Sequence, residues 1–149
     1  MMAAASAVSC TADAWRTVRE HAATAWPREA CGLLIGHAMP EGWRIVRAAP
    51  AANRASDPAQ AFELDPGARA AWQRRLREAG GAEAVIGHYH SHPGGAPRPS
   101  AADRARAEEE GLIWLIVAAD TAGAGAAAAF FAEAAHTLRG VSFLPDAES

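Results

Sequence analysis

The chain has 149 residues and a formal net charge of −3, with 14 basic side chains, every one an arginine, against 17 acidic ones. This balance excludes a general electrostatic nucleic-acid binder, and a charged fraction of 21% in mixed sign excludes whole-chain disorder. No apolar run approaches the ~18 residues that a membrane-spanning helix needs.

Half of the residues are hydrophobic, but 41 are alanines. Each alanine buries little area, so the core must be one compact unit built around a few Trp, Leu, Ile, Phe and Val residues. The length suits a single domain. Two cysteines, Cys10 and Cys31, are too few for a disulfide framework, and a reducing, cytoplasmic compartment is expected. The opening MMAAASAVSC has neither the basic start nor the apolar stretch of a signal peptide.

Residues 1–12 are expected to form a flexible N-terminus. From Asp13 to Ala25 the spacing of Trp15, Val18 and Ala22 predicts a helix, stopped by Pro27. Cys31 to Ile35, closed by Gly36, reads as a buried strand, and Trp43 to Ala48 as a second. Residues 49–61 form a surface loop. Asp65 caps a helix that has Pro66 at its first position and runs to about Ala79, where Gly80 and Gly81 end it.

Ala84 to His90 reads as a strand broken by Pro93-Gly94-Gly95, and Ser100 begins a helix through about Glu110. Leu112 to Ala119 is a strongly apolar strand. Residues 126–133 and 137–144 are strand candidates against the helical propensity of their alanines. The domain is expected to span residues 13–144, followed by a tail at 145–149. Strands and helices do not alternate regularly, so the predicted fold class is α/β with a mixed β-sheet flanked by helices.

The chemistry concentrates in GHYHSHPGGAPRPSAAD, residues 87–103. In a strand, residues two apart share a face at ~6.6–6.8 Å. His90 and His92 therefore project together and can converge on one metal ion. Ser100 is a good N-cap, which puts Asp103 in the first helical turn, where it can meet the imidazoles. Two His and one Asp leave a fourth position for water, the composition of a catalytic zinc site rather than a closed structural one. Ser100 with Asp103 also reads as a plain helix cap, and the two readings are compatible. His88 lies on the same strand face but ~13 Å from His92 by strand rise, too far to share an ion easily. His21, His37 and His136 have no partner spacing and read as surface residues. Cys31 reads as a buried structural thiol.

His90-Ser91-His92-Pro93, followed after Pro99 by Ser100-Ala101-Ala102-Asp103, matches the pattern H-S/T-H-x7-S-x2-D without a gap. Upstream, Glu29-Ala30-Cys31-Gly32-Leu33-Leu34-Ile35-Gly36 resembles the segment that carries a catalytic glutamate. Asn53, Phe62-Glu63-Leu64-Asp65 and Trp114-Leu115-Ile116-Val117 are similar to residues of small bacterial members. On these motifs the chain resembles the JAMM (MPN+) zinc metalloproteases from its first helix to about Phe143.

The resemblance implies one zinc ion held by His90, His92 and Asp103. It implies Glu29 as general base for the attacking water and later as proton donor to the leaving amine. It implies Ser100 as hydrogen-bond donor to the oxyanion. The implied substrate is a ubiquitin-like or sulfur-carrier protein, cut at the peptide or isopeptide bond after its C-terminal Gly-Gly. Its tail would add to a sheet edge. E1-like or E2-like pathway proteins are the further partners implied; neither nucleic acid nor membrane is expected. Two alternatives stay open: a non-enzymatic partner-binding MPN module, and a zinc hydrolase of small peptides or amides.

Overall fold

The structure is a computed structural model that describes residues 6–148. Among the described residues, seven strands and three helices form one mixed α/β unit. In chain order these are β1 (Ala7–Cys10), α1 (Ala12–Ala25), β2 (Cys31–Met39), β3 (Gly42–Ala51), α2 (Pro66–Ala79), β4 (Ala84–Pro93), α3 (Ala101–Arg106), β5 (Ile113–Asp120), β6 (Gly123–Ala134) and β7 (Thr137–Pro145). The sheet closes into a barrel in the order β1-β3-β2-β4-β5-β6-β7. Among the described residues no helix is long and apolar enough to cross a membrane.

The expected flexible N-terminus differs from what is observed. Residues 1–5 lie outside the described residues, but Ala7–Cys10 forms a strand running parallel to both β3 and β7. Val8 and Cys10 are fully buried while Ala7 and Ser9 are half-buried, a period-2 pattern too short to stand out in the sequence. The tail is also held in part. Asp146 pairs with Arg44 at 2.7 Å and Glu148 with Arg19 at 2.8 Å, whereas Ser149 lies outside the described residues.

Strand alternation divides the core between the two faces of the sheet. Leu34, Ile113, Leu115 and Val117 pack with Ala14, Val18 and Ala22 of α1. On the opposite face Cys31, Trp114 and Leu138 pack with Phe62 from the loop, and Leu33, Ile35 and Ala49 lie under Trp72 and Leu76 of α2. The alanine-rich β6 is a strand because β5 and β7 satisfy its backbone on both sides. Tertiary pairing here overrides helix propensity.

Helix α3 stops at Arg106, short of the expected Glu110. Continuing it would place Glu108, Glu109 and Glu110 at the negative end of the helix dipole. Every strand has two neighbours in the closed barrel, so the expected sheet edge for a substrate tail does not exist along any whole strand.

Candidate active site

Strand β4 ends in the site. His88, His90 and His92 share one face, and the chain leaves the strand through Gly94, whose φ of 72° suits glycine. Ser100 then caps α3: its hydroxyl accepts from the Asp103 amide at 3.0 Å, and Asp103 Oδ2 accepts from the Ser100 amide at 2.9 Å. This reciprocal box turns the Asp103 carboxylate back toward the strand.

Three donor atoms converge there. His90 Nε2 and His92 Nε2 are 3.1 Å apart, and Asp103 Oδ2 stands 3.3 Å from the first and 3.0 Å from the second. A tetrahedral ion with bonds of ~2.0–2.1 Å separates its ligands by ~3.3 Å, so the triad fits such a metal. His92 Nδ1 lies 2.9 Å from the Ala96 carbonyl oxygen. Donating there leaves the Nε2 lone pair for a metal, the usual outer-shell support for a histidine ligand. His90 Nδ1 is buried without a partner, and Phe62 stacks on the His90 ring at 4.2 Å between centroids.

Burial alone would raise the Asp103 carboxyl, but the two imidazoles and the Ser100 amide hold it well below the usual carboxylate range. Burial lowers His90, whereas for His92 burial is outweighed by Asp103 and the Ala96 carbonyl, and its pKa rises.

Glu29 enters from the segment before β2. Ala30 N–H donates to Ser91 Oγ at 2.8 Å and Ser91 N–H to the Ala30 carbonyl at 3.0 Å, which fixes this segment against the His90–His92 end of β4. The Asn53 side-chain amide donates to the Glu29 carbonyl at 3.0 Å, and its oxygen accepts from the Ala55 and Glu63 amides. One asparagine thus ties the loop to the glutamate backbone. The Glu29 carboxyl is buried, with Oε1 unpartnered, and burial pushes its pKa up to about 7. Glu29, His90 and His92 also bring donor atoms within 4.8 Å of one another, so two donor sets share the histidine pair. Ser91 has no separate role in the motif reading; its buried hydroxyl locks the register of the glutamate, and nothing in the alternation of β4 marks it.

The remaining candidates lie elsewhere. His88 packs on Trp114 at 4.4 Å and on Phe62 at 5.6 Å between centroids, away from the triad. His21 is not a plain surface residue, because its Nδ1 lies 2.7 Å from the Tyr89 hydroxyl. Cys31 is fully buried, and burial pushes its thiol up to about 11.

Comparison with known proteins gives a match to the prokaryotic homologues of the JAB domain over residues 11–132. The chain belongs to this JAB family. A relative named desampylase, from Haloferax volcanii, is 38% identical over 119 residues, covering 77% of this chain and 83% of the relative. A solution structure from Desulfitobacterium hafniense superposes with a TM-score of 0.80 at 27% identity, covering 95% of this chain and 94% of the other. A JAB1/MPN domain protein from Archaeoglobus fulgidus shares the fold at a TM-score of 0.58 and 17% identity, covering 94% and 98%. This JAB-family chain is a JAMM-type peptidase or isopeptidase with a histidine–carboxylate group able to bind a metal.

Proposed function

We propose that the chain hydrolyses the peptide or isopeptide bond that follows the C-terminal Gly-Gly of a ubiquitin-like protein. The carrying observation is the similarity to a protein named desampylase over most of both chains. Buried Glu29, His90 and Asp103, gathered with half-buried His92, support it with the needed chemistry.

In this reading His90, His92 and Asp103 hold zinc, whose donor preference matches two imidazoles and a carboxylate. Bound there, zinc supplies Lewis acidity toward the scissile carbonyl and toward water. Glu29 takes the proton of the attacking water and passes it to the departing nitrogen. A carboxyl held near pH 7 by burial is suited to both transfers. Among the described residues no bond uses the proton of the Ser100 hydroxyl, since its oxygen only accepts from Asp103. Ser100 is therefore free to donate to the oxyanion. Glycines on the acyl side let the carbonyl reach Ser100 and Glu29 without side-chain clash.

The test uses the cognate ubiquitin-like protein with a short extension beyond Gly-Gly, followed by intact mass. The expected product ends at the second glycine, and replacing that glycine by valine should block cleavage. Equal cleavage of both substrates, or cleavage of unrelated peptides alone, overturns the reading.

A further inference from the structure

Residues 52–65 run from β3 to α2 as turns and irregular chain, and one side chain organises them. An asparagine amide offers two N–H donors and one carbonyl oxygen with two lone pairs. Asn53 commits all of them. Its Nδ2 lies 3.0 Å from the Glu29 carbonyl oxygen, 2.9 Å from that of Ala61 and 3.4 Å from that of Pro58. Its Oδ1 accepts from the Ala55 amide at 3.0 Å and from the Glu63 amide at 3.1 Å. The opposite orientation of the amide would set its oxygen against three carbonyls and its nitrogen against two N–H groups, so the direction of each bond is fixed.

Two of these bonds lead to the chemistry. On one side the loop grips the Glu29 backbone twice: Asn53 donates to its carbonyl, and the Pro58 carbonyl accepts from its amide at 2.6 Å. The Glu29 carboxyl has no comparable hold, because Oε1 is buried without a partner, so its place follows from the backbone. On the other side Glu63 follows Phe62, whose ring stacks on His90 at 4.2 Å. Arg106 of α3, the helix that carries Asp103, donates to the Phe62 carbonyl at 2.6 Å. Asn53 thus joins the segment of Glu29 to the stretch that rests on the histidines.

We propose that Asn53 is a positioning residue of the reaction: by fastening the Glu29 backbone to the stretch anchored on His90, its amide sets the reach of the Glu29 carboxyl toward the water and the departing nitrogen. The inference rests on Glu29 acting as base in the reading above and adds the group that places it. Proton transfer needs heavy atoms within ~2.6–3.2 Å. A displacement of ~1 Å that originates away from the reacting atoms can cost ~10²-fold in rate. The amide is required, not polarity alone. An aspartate in its place keeps the acceptor half, and with it the Ala55 and Glu63 bonds, but sets a carboxylate against the carbonyls of Glu29, Pro58 and Ala61.

The experiment compares Asn53→Asp, Asn53→Ala and Asn53→Gln with the unaltered, metal-loaded protein on a substrate extended beyond Gly-Gly. In Asn53→Asp and Asn53→Ala, kcat should fall about ten- to a hundredfold. KM should stay within about twofold, and metal content should not change. Asn53→Gln carries the same amide on one more methylene and should recover part of kcat. Full kcat in Asn53→Asp, a rise in KM alone, or loss of metal together with kcat overturns the inference and leaves the ubiquitin-like reading intact. Amide hydrogen exchange gives a readout that needs no substrate. In Asn53→Asp the Glu29 amide should exchange at least about tenfold faster, while the Ser91 amide, bonded to the Ala30 carbonyl, keeps its rate. Unchanged exchange at Glu29 overturns the inference even where Asn53→Ala fails to fold. If the unaltered protein cuts no Gly-Gly substrate, the ubiquitin-like reading fails, and exchange at Glu29 decides for or against Asn53.

Discussion

Ser100 and Asp103 hold each other through two reciprocal hydrogen bonds of 2.9 and 3.0 Å, and the Asp103 oxygen in that pair is the one aimed at both histidines. The helix cap and the candidate metal ligand are thus one device. Replacing Ser100 by alanine removes only the bond accepted by its hydroxyl, because its backbone amide still reaches Asp103. The variant should lose about 1 kcal/mol of stability, the usual effect of an N-cap. It should keep its metal and lose kcat by ~10²-fold as an oxyanion donor is removed. Urea unfolding, metal content and kinetics on one preparation check all three. Unchanged kcat would remove Ser100 from the chemistry.

The two donor sets around the histidine pair make opposite predictions. With Asp103 as ligand and Glu29 as base, Glu29→Gln keeps one zinc per chain and loses nearly all turnover. His92→Ala combined with Asp103→Ala loses the zinc. Elemental analysis of protein purified without added metal distinguishes the cases. Loss of zinc from Glu29→Gln would make Glu29 a ligand.

With Glu29 as the base, the burial that raises its pKa to about 7 predicts an acid limb for the enzyme. Below its pKa the carboxyl is protonated and cannot accept the proton of water, so kcat/KM should fall with decreasing pH. A bound dication favours the carboxylate and moves that limb below 7. A profile flat from about pH 8 down to about pH 5 would contradict the assignment.

Half-buried His88 packs against Trp114 and Phe62, and desolvation there lowers its pKa to about 3. The unfolded chain takes up this proton near the ordinary value of 6.5, while the folded chain resists it down to about 3. Folding stability is therefore lost as pH falls through that window and is unaffected above it. In His88→Phe the loss should be smaller, so the difference in urea midpoint between the two proteins should grow from pH 7 to pH 5. A constant difference would exclude His88 as a source of acid lability.

The sequence made His90, His92 and Asp103 legible because strand alternation, the Gly-rich turn and the Ser100 cap are local rules acting over fourteen residues. It made Glu29 legible only through family resemblance, since nothing local links a residue after Pro27 to a strand some sixty positions on. The link is the Ala30–Ser91 pairing, and partners in a sheet are not written in either strand alone. The same reason hid β1. Four residues with one alanine and one serine carry little signal, yet β3 and β7 supply both of its ladders. It also hid barrel closure, which turns the expected flanked sheet into a ring.

That ring is fastened by the shortest of its strands. Ala7–Cys10 pairs with Gly42–Ile45 on one side and Ser142–Pro145 on the other, so it works as a clasp. Removing the first ten residues would strip one neighbour from β3 and one from β7 at the same time. It would also open the buried cluster that Val8 and Cys10 share with Ala14, Val18 and Ala22 of α1. Unpaired strand edges beside apolar surface recruit copies of themselves. An N-terminally trimmed protein should therefore associate or precipitate, although, among the described residues, Ser6–Cys10 make no bond to the triad.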